Sequence, residues 1–274
     1  MSCLLHMSDP HFGTEQPDVV RALATLVRTE LPSALVLSGD ITQRATRAQF
    51  ARARAFVDSL ANPGLLAIPG NHDIPLFALS TRMMAPYARY RAAFGDELEP
   101  VVDVPDFLVV GVNTTRWYRH ENGAVSAQQA ERAARRLAKA SARQLRIVVV
   151  HQPVAVTREE DHKNLLIGRE EAVRLWAEAE ADLVLGGHIH LPFVLPLHEG
   201  AGGPVRRMWC VQAGTAVSTR LRAGAPNSVN LIRFEGGDGE RRCTVEQWDC
   251  DAGDAQFRRA RVHSLALGTT RPRP

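Results

Sequence analysis

The sequence predicts an α/β protein built in layers around buried strands, on two observations. As far as Gly187, short apolar runs rich in Val, Ile and Leu alternate with amphipathic stretches of helical length. Beyond Gly187 the pattern turns to shorter strands broken by glycine-bearing turns. In the first part, strands are expected at 3–7, 34–37, 65–68, 107–112, 145–150 and 183–185. Helices are expected at 18–30, 45–60, 127–142 and 169–179. Ser126 suits the N-cap of the third helix, with Gln129 as its capping-box partner. Later strands are expected at 193–197, 205–212, 228–234 and 241–248. Gly200, Gly202, Gly203, Gly236, Gly237 and Gly239 mark the turns between them. These later strands read as an antiparallel sheet laid against the first part. No linker divides the chain, so residues 1–253 are expected to form one domain, and 254–274 a basic, Pro-containing tail that is partly disordered.

Composition narrows the classes. Hydrophobic residues make up 45% and charged residues 23% of the 274, ordinary values for a globular chain long enough to bury a core without disulfides. A net charge of +3 is too weak to argue for nucleic-acid binding. Lys139 and Lys163 are the only lysines, an arginine bias that codon usage in a GC-rich genome explains better than phosphate binding. Cys3, Cys210, Cys243 and Cys250 form no C-x-x-C pair, which excludes a zinc knuckle or redox motif and fits a reducing cytoplasm. Residues 1–8 lack the length and basic start of a signal peptide, and no apolar run approaches the length of a membrane span. A cytoplasmic location follows as an expectation. Oligomeric state, including a homodimer, stays open.

Five polar blocks each sit where an apolar run ends: Asp9-Pro10-His11, Gly39-Asp40, Gly70-Asn71-His72-Asp73, His151-Gln152-Pro153 and Gly187-His188-Ile189-His190. In an open α/β sheet, sites form at the C-terminal ends of strands, so all five can converge on one rim. Carboxylate oxygen and neutral imidazole nitrogen are the donors that a borderline divalent cation wants. Two closely spaced cations need a bridging carboxylate, and Asp40 on its glycine-flanked strand end is the natural one. Donors of N and O without sulfur favour iron, manganese or zinc over a pure magnesium or calcium site. Singly, each block is weak, since a Gly-Asp after a strand is usually a turn. Together and in order they point to a two-metal site.

The ordered set D-x-H, G-D, G-N-H-D, H-x-P and G-H-x-H resembles the calcineurin-like metallophosphoesterase family. The stretch from Ala213 to Arg222, followed by Pro226-Asn227-Ser228, resembles bacterial members related to cyclic-nucleotide phosphodiesterases. The resemblance implies a four-layer α/β/β/α sandwich, with two mixed sheets face to face and helices outside. It also implies one metal held by Asp9, His11, Asp40 and His190, and a second by Asp40, Asn71, His151 and His188. His72 matches the family's non-ligand histidine beside the phosphate, and Asp73 is expected to orient its imidazole. The implied reaction is hydrolysis of a phosphate ester by a hydroxide bridging two metals, iron or manganese first and zinc as an alternative. Gly39-Asp40-Ile41-Thr42-Gln43 and Asp73 depart from the D-R-G and G-N-H-E of the phosphoprotein phosphatases. The expected substrate is therefore a small phosphodiester, led by 3′,5′-cyclic nucleotides.

Competing readings are a DNA-repair-type nuclease, which would want a basic groove, and a nucleotide-sugar lipid pyrophosphatase. The latter draws on the apolar stretch 75–94, for which a core helix pair is the commoner explanation. A non-catalytic scaffold would be expected to lose ligands or His72, and this chain keeps them all. Asn113, Thr114, Arg116 and His162 are candidates for substrate contact. Arg220 and Arg222 would either meet phosphate or lie in a solvated turn. His6 is expected to be structural, and His120, His162, His198 and His263 to lie on the surface or in loops, His162 being the one whose place after the His151 loop also lets it line a substrate cleft. Trp117, Trp176, Trp209 and Trp248 are expected in the core or an interface.

Overall fold

Successive residues along the central strands bury on opposite sides, and this alternation builds the layers. The computed structural model describes residues 2–60, 64–199, 203–204, 206–222, 224–236, 241–251 and 253–269. β1 (Ser2–Met7), β2 (Ala34–Leu37) and β3 (Leu65–Ala67) pair in parallel. They send Leu4, Val36 and Leu66 to one core, and Leu5, Met7, Leu35 and Leu37 to another. β5 (Phe107–Gly111), β6 (Leu145–Val149) and β7 (Leu183–Gly186) also pair in parallel. Their Phe107, Val109, Ile147 and Leu183 meet the same core as Leu4. That shared core lies between two sheets.

The helices cover the outer faces. α1 (Pro17–Glu30) and α2 (Arg47–Ser59) bring Leu23 and Phe50 against Leu5 and Leu35. α5 (Ala127–Leu137) and α6 (Arg169–Glu178) bring Ala133 and Trp176 against Val110 and Val148. Thr46 caps α2, and Ser126 and Gln129 form the expected capping box on α5. The result is the four-layer sandwich of two mixed sheets flanked by helices.

The assignment of strands to sheets differs from the sequence expectation. The later strands do not form a separate sheet laid against the first part. β10 (Ser228–Gly236), β11 (Arg241–Asp251) and β12 (Gln256–Leu265) extend the β1 sheet, in the order β12-β11-β10-β1-β2-β3. β8 (Phe193–Pro196) and β9 (Trp209–Gln212) extend the other, in the order β4-β5-β6-β7-β9-β8, where β4 is Val101–Val104. Periodicity reports which faces a strand buries, not which neighbour it pairs with, and β1 was free on the side that β10 takes antiparallel. Val205, the expected start of one strand, lies outside the described residues, as do Gly200, Gly202, Gly237 and Gly239.

Two segments correct the sequence analysis. Residues 256–265, expected in a frayed tail, are the edge strand β12, fixed by pairing with β11 and by Phe257 and Leu265 in the core. Residues 270–274 lie outside the described residues. Between β3 and β4, α3 (Leu79–Met84) buries none of its residues and α4 (Ala88–Phe94) buries only Tyr90, so these are not a core helix pair. Phe77, Leu79, Met83 and Met84 stand exposed instead. Trp176 is core as expected, whereas Trp117 is 41% exposed. No helix among the described residues is long and apolar enough to cross a membrane.

Candidate metal centre

The five polar blocks follow β1, β2, β3, β6 and β7, parallel strands of both sheets. Backbone bonds tie the first two loops together: Asp9 N–H donates to the Gly39 carbonyl at 3.1 Å and His11 N–H to the Asp40 carbonyl at 3.0 Å. Asp9, His11, Asp40, His188 and His190 all adopt positive φ, between 42° and 71°. Side chains reach this left-handed region at a cost of roughly 1–3 kcal/mol each, and such residues cluster where function demands it. Gly39, at φ 103°, has no room for a side chain, because a Cβ there would stand 2.5 Å from His151 Nδ1.

Two groups of donors result. Asp9, His11 and His190 form one, and Asp40, His151 and His188 the other, with the donor atoms in each within 4.8 Å of one another. In the first, His190 Nε2 lies 3.2 Å from Asp9 Oδ1 and 3.1 Å from His11 Nε2. In the second, His151 Nε2 lies 3.3 Å from Asp40 Oδ1 and 3.2 Å from Asn71 Oδ1. Asp40 joins them, because its other oxygen, Oδ2, faces His11 Nε2 at 3.8 Å.

Hydrogen bonds behind the rings settle which atoms point inward. His151 Nδ1 donates to the Ser38 carbonyl at 2.8 Å and His190 Nδ1 to the Arg220 carbonyl at 2.6 Å. A carbonyl only accepts, so in the neutral rings both Nε2 atoms carry lone pairs. These face carboxylate and amide oxygens, which are also acceptors. Asp9 Oδ1 and His188 Nδ1 are buried with no hydrogen-bond partner among the described residues. A convergence of acceptors is repulsive unless protons or cations sit among them, so the donor set fits two cations.

The protonation equilibria carry the same tension. Burial pushes His11 down to about 3 and His188 down to about 4, keeping both neutral and able to donate. Burial also opposes charge on His151, but Asp40 overrides it and raises the ring to about 9. His190 is raised against its burial by Asp9. Burial disfavours the Asp40 anion, yet His151 and His72 hold its carboxyl well below the usual range. A cation held here would displace the proton that the raised pKa of His151 keeps on its ring.

His72 is half-buried at the edge of this cluster, its ring 4.9 Å from that of His11 and edge-on to it. Its backbone N–H donates to Asp40 Oδ1 at 2.8 Å, and its Nδ1 to the Gln43 carbonyl at 3.0 Å. Asp73 therefore does not orient the His72 imidazole as the sequence analysis expects. Its carboxylate is fully buried and turned the other way. It accepts from the N–H groups of Ile41 at 3.0 Å, Thr42 at 2.8 Å and Gly70 at 2.9 Å, and from the Thr42 hydroxyl at 2.8 Å. Asp73 clamps the loop after Asp40 to the loop that carries Asn71.

The candidates for substrate contact fare differently. Thr114 supports the site from behind, its hydroxyl accepting from His151 N–H at 3.4 Å and donating to Gln152 Oε1 at 2.6 Å. Asn113 is buried and spends its side-chain oxygen on Thr115. Arg116 spends its guanidinium on the carbonyls of Asn113 and Thr115 and on Gln129. His162 is exposed, pairs with Glu159 at 3.2 Å and belongs to neither group. Arg222 lies in no solvated turn: it grips both oxygens of buried Asp161, at 2.9 and 2.8 Å, and the Ile189 carbonyl at 3.3 Å. Sequence reasoning missed the carbonyls of Ser38, Gln43 and Arg220, which any residue type supplies and no motif marks.

Comparison with known proteins agrees with this architecture. A probable cyclic nucleotide phosphodiesterase of Synechococcus sp. is 27% identical over 164 residues, spanning 60% of this chain and 60% of the relative. Purple acid phosphatase PPD1 from yellow lupin (Lupinus luteus) seeds shares the fold with a TM-score of 0.69 at 12% identity, over 96% of this chain and 53% of its own. Vps29 of Chaetomium thermophilum superposes with a TM-score of 0.50 at 14% identity, over 98% of each chain. The calcineurin-like phosphoesterase family model matches residues 4–192, a span that holds all five polar blocks, and the chain belongs to that family.

Proposed function

We propose that the chain is a metal-dependent phosphodiesterase acting on small molecules, with 3′,5′-cyclic nucleotides as the leading substrates. The orientation of Asp40 carries the reading: one oxygen faces His11 and the other faces His151, as a carboxylate shared by two cations requires. Asp9, His11, Asp40 and His190 would hold one ion, and Asp40, Asn71, His151 and His188 the other. Donors of N and O without sulfur suit iron or manganese, with zinc as the alternative. Two bound cations supply a water of lowered pKa as nucleophile and neutralise charge on the phosphoryl oxygens. His72 acts on the substrate directly. With Nδ1 donating to the Gln43 carbonyl, Nε2 gives a proton to the departing alkoxide from the imidazolium, and that charge also stabilises the phosphoryl oxygens. Asp73 serves as a positioning residue.

The Synechococcus relative supports a cyclic-nucleotide substrate, and Gln43 and Asp73 stand apart from the phosphoprotein phosphatase pattern. The weak net charge of +3 disfavours a nuclease. The exposed Phe77, Leu79, Met83 and Met84 favour a second reading, hydrolysis of a nucleotide-sugar lipid pyrophosphate. Four buried free cysteines suit a reducing cytoplasm. A hydrolysis panel on the metal-replete chain tests the proposal, with bis-p-nitrophenyl phosphate, p-nitrophenyl phosphate, cyclic AMP, single-stranded DNA and a UDP-diacylglucosamine. Cleavage of bis-p-nitrophenyl phosphate and cyclic AMP is expected. Preference for DNA or for the monoester would overturn the reading.

A further inference from the structure

Beside His72 and Asn71 opens a cleft of about 150 Å³, lined also by Gln43, Arg44, Ile74, Leu76, Arg82 and His120. Among the described residues no carboxylate lines it. Its two arginines have only neutral partners among the described residues. Arg82 donates to the carbonyls of Arg119 at 2.8 Å and Pro75 at 3.4 Å, which hold the guanidinium in place without cancelling its charge. Arg44 is exposed and lies 5.5 Å over the Phe77 ring. A third cation, Arg220, donates to the side chain of Gln43 at 3.0 Å. Arg222, Arg233 and Arg241, by contrast, each meet a carboxylate.

Unneutralised guanidinium groups around an acid-free cleft form an anion site, and planar arginine forks match phosphate oxygens in particular. The cleft is smaller than the roughly 300 Å³ at which pockets for drug-sized ligands begin, so it fits a compact group rather than a nucleoside. Asn71 and His72 line both this cleft and the candidate metal centre, so one molecule can reach both.

We infer that Arg44 and Arg82 bind a second phosphate where the substrate carries one, so that a phosphodiester with a phosphate beyond the one cleaved binds more tightly than a cyclic mononucleotide, which is still turned over. This rests on the phosphodiesterase reading for the first phosphate. A cyclic mononucleotide fills only the metal centre, whereas a phosphorylated dinucleotide fills both places.

The test measures equilibrium binding to the manganese-loaded full chain. The probes are two diadenosine dinucleotides with a hydrolysis-resistant phosphorothioate linkage, one bearing a 5′-terminal phosphate and one lacking it. The phosphorylated probe should bind at least about tenfold more tightly, the scale of a charge-assisted arginine contact. That preference should shrink toward unity in Arg44→Gln and in Arg82→Gln. Arg44 is exposed, so its variant separates the effect from any loss of folding at Arg82. Equal affinity for the two probes, no binding of either, or a preference that survives both substitutions would overturn the inference. Failure of the phosphodiesterase reading shows separately, as inert bis-p-nitrophenyl phosphate with the binding difference intact.

Discussion

Asp73 Oδ1 accepts two hydrogen bonds from Thr42, one from its N–H and one from its hydroxyl, both at 2.8 Å. This pairing joins the turn after β2 to the turn after β3, and so fixes Asp40 relative to Asn71. Removing the carboxylate orphans buried donors on Ile41, Thr42 and Gly70, each worth about 1–3 kcal/mol when left unsatisfied. Asp73→Ala is expected to cost about 3 kcal/mol in urea unfolding and to weaken manganese binding about 10–100-fold. A stability change below about 0.5 kcal/mol, the scale of an ordinary surface substitution, would show that the clamp is idle.

His72 stands apart from the donors, and its proposed part is in the chemistry. His72→Ala is expected to keep metal binding and to lose about 10²–10⁴-fold in kcat on bis-p-nitrophenyl phosphate. Turnover at the parent rate would remove His72 from the reaction.

Gly39→Ala combines two penalties. The backbone sits at φ 103°, and the new Cβ would stand 2.5 Å from His151 Nδ1, where that atom donates to Ser38. The strain alone is about 1–3 kcal/mol. Displacement of the ring should also weaken the ion held near His151 more than the one near His190. Thermal unfolding and the two steps of a manganese titration read these effects separately. Unaltered values in both would contradict the geometry.

His6 gives a pH dependence of its own. It is fully buried, with Nε2 bonded to Ser38 Oγ at 2.9 Å and Nδ1 without a partner among the described residues. Burial outweighs the opposing pull of Asp9 and lowers its pKa from 6.5 to about 3. Between those values the unfolded chain binds a proton that the folded chain refuses. Stability from this group is therefore complete above pH 6.5 and is lost as pH falls toward 3, by up to about 1.4 kcal/mol per pH unit. Urea unfolding from pH 4 to 7 should show a shallower slope in His6→Gln than in the parent. Identical slopes would mean that His6 takes up its proton in the folded state.

Much of this molecule is written in local pattern. The Val- and Leu-rich runs fall on β1, β2, β3, β5, β6 and β7, and Asp9, His11, Asp40, His151, His188 and His190, which follow four of these strands, gather in two groups. Sheet membership is not local: β3 and β5 look alike as sequence, yet they belong to different sheets, and β10 returns across more than the length of a domain half to pair with β1. The basic composition of 256–265 suggests a tail, but an edge strand keeps arginines on exposed positions such as Arg258 and Arg261 while Phe257 and Leu265 reach the core. The role of Asp73 escaped the sequence because adjacency to His72 does not set direction. In the short 3-10 turn Asn71–Asp73, neighbouring side chains point apart.

The proposed site depends on two cations sharing Asp40. Titration of manganese into chelator-stripped protein, with bound metal counted after equilibrium dialysis, is the decisive measurement. Two ions per parent chain are expected, and in Asp40→Ala the loss of tight binding at both positions. Saturation of the parent at one ion, or full retention of two by Asp40→Ala, would contradict it.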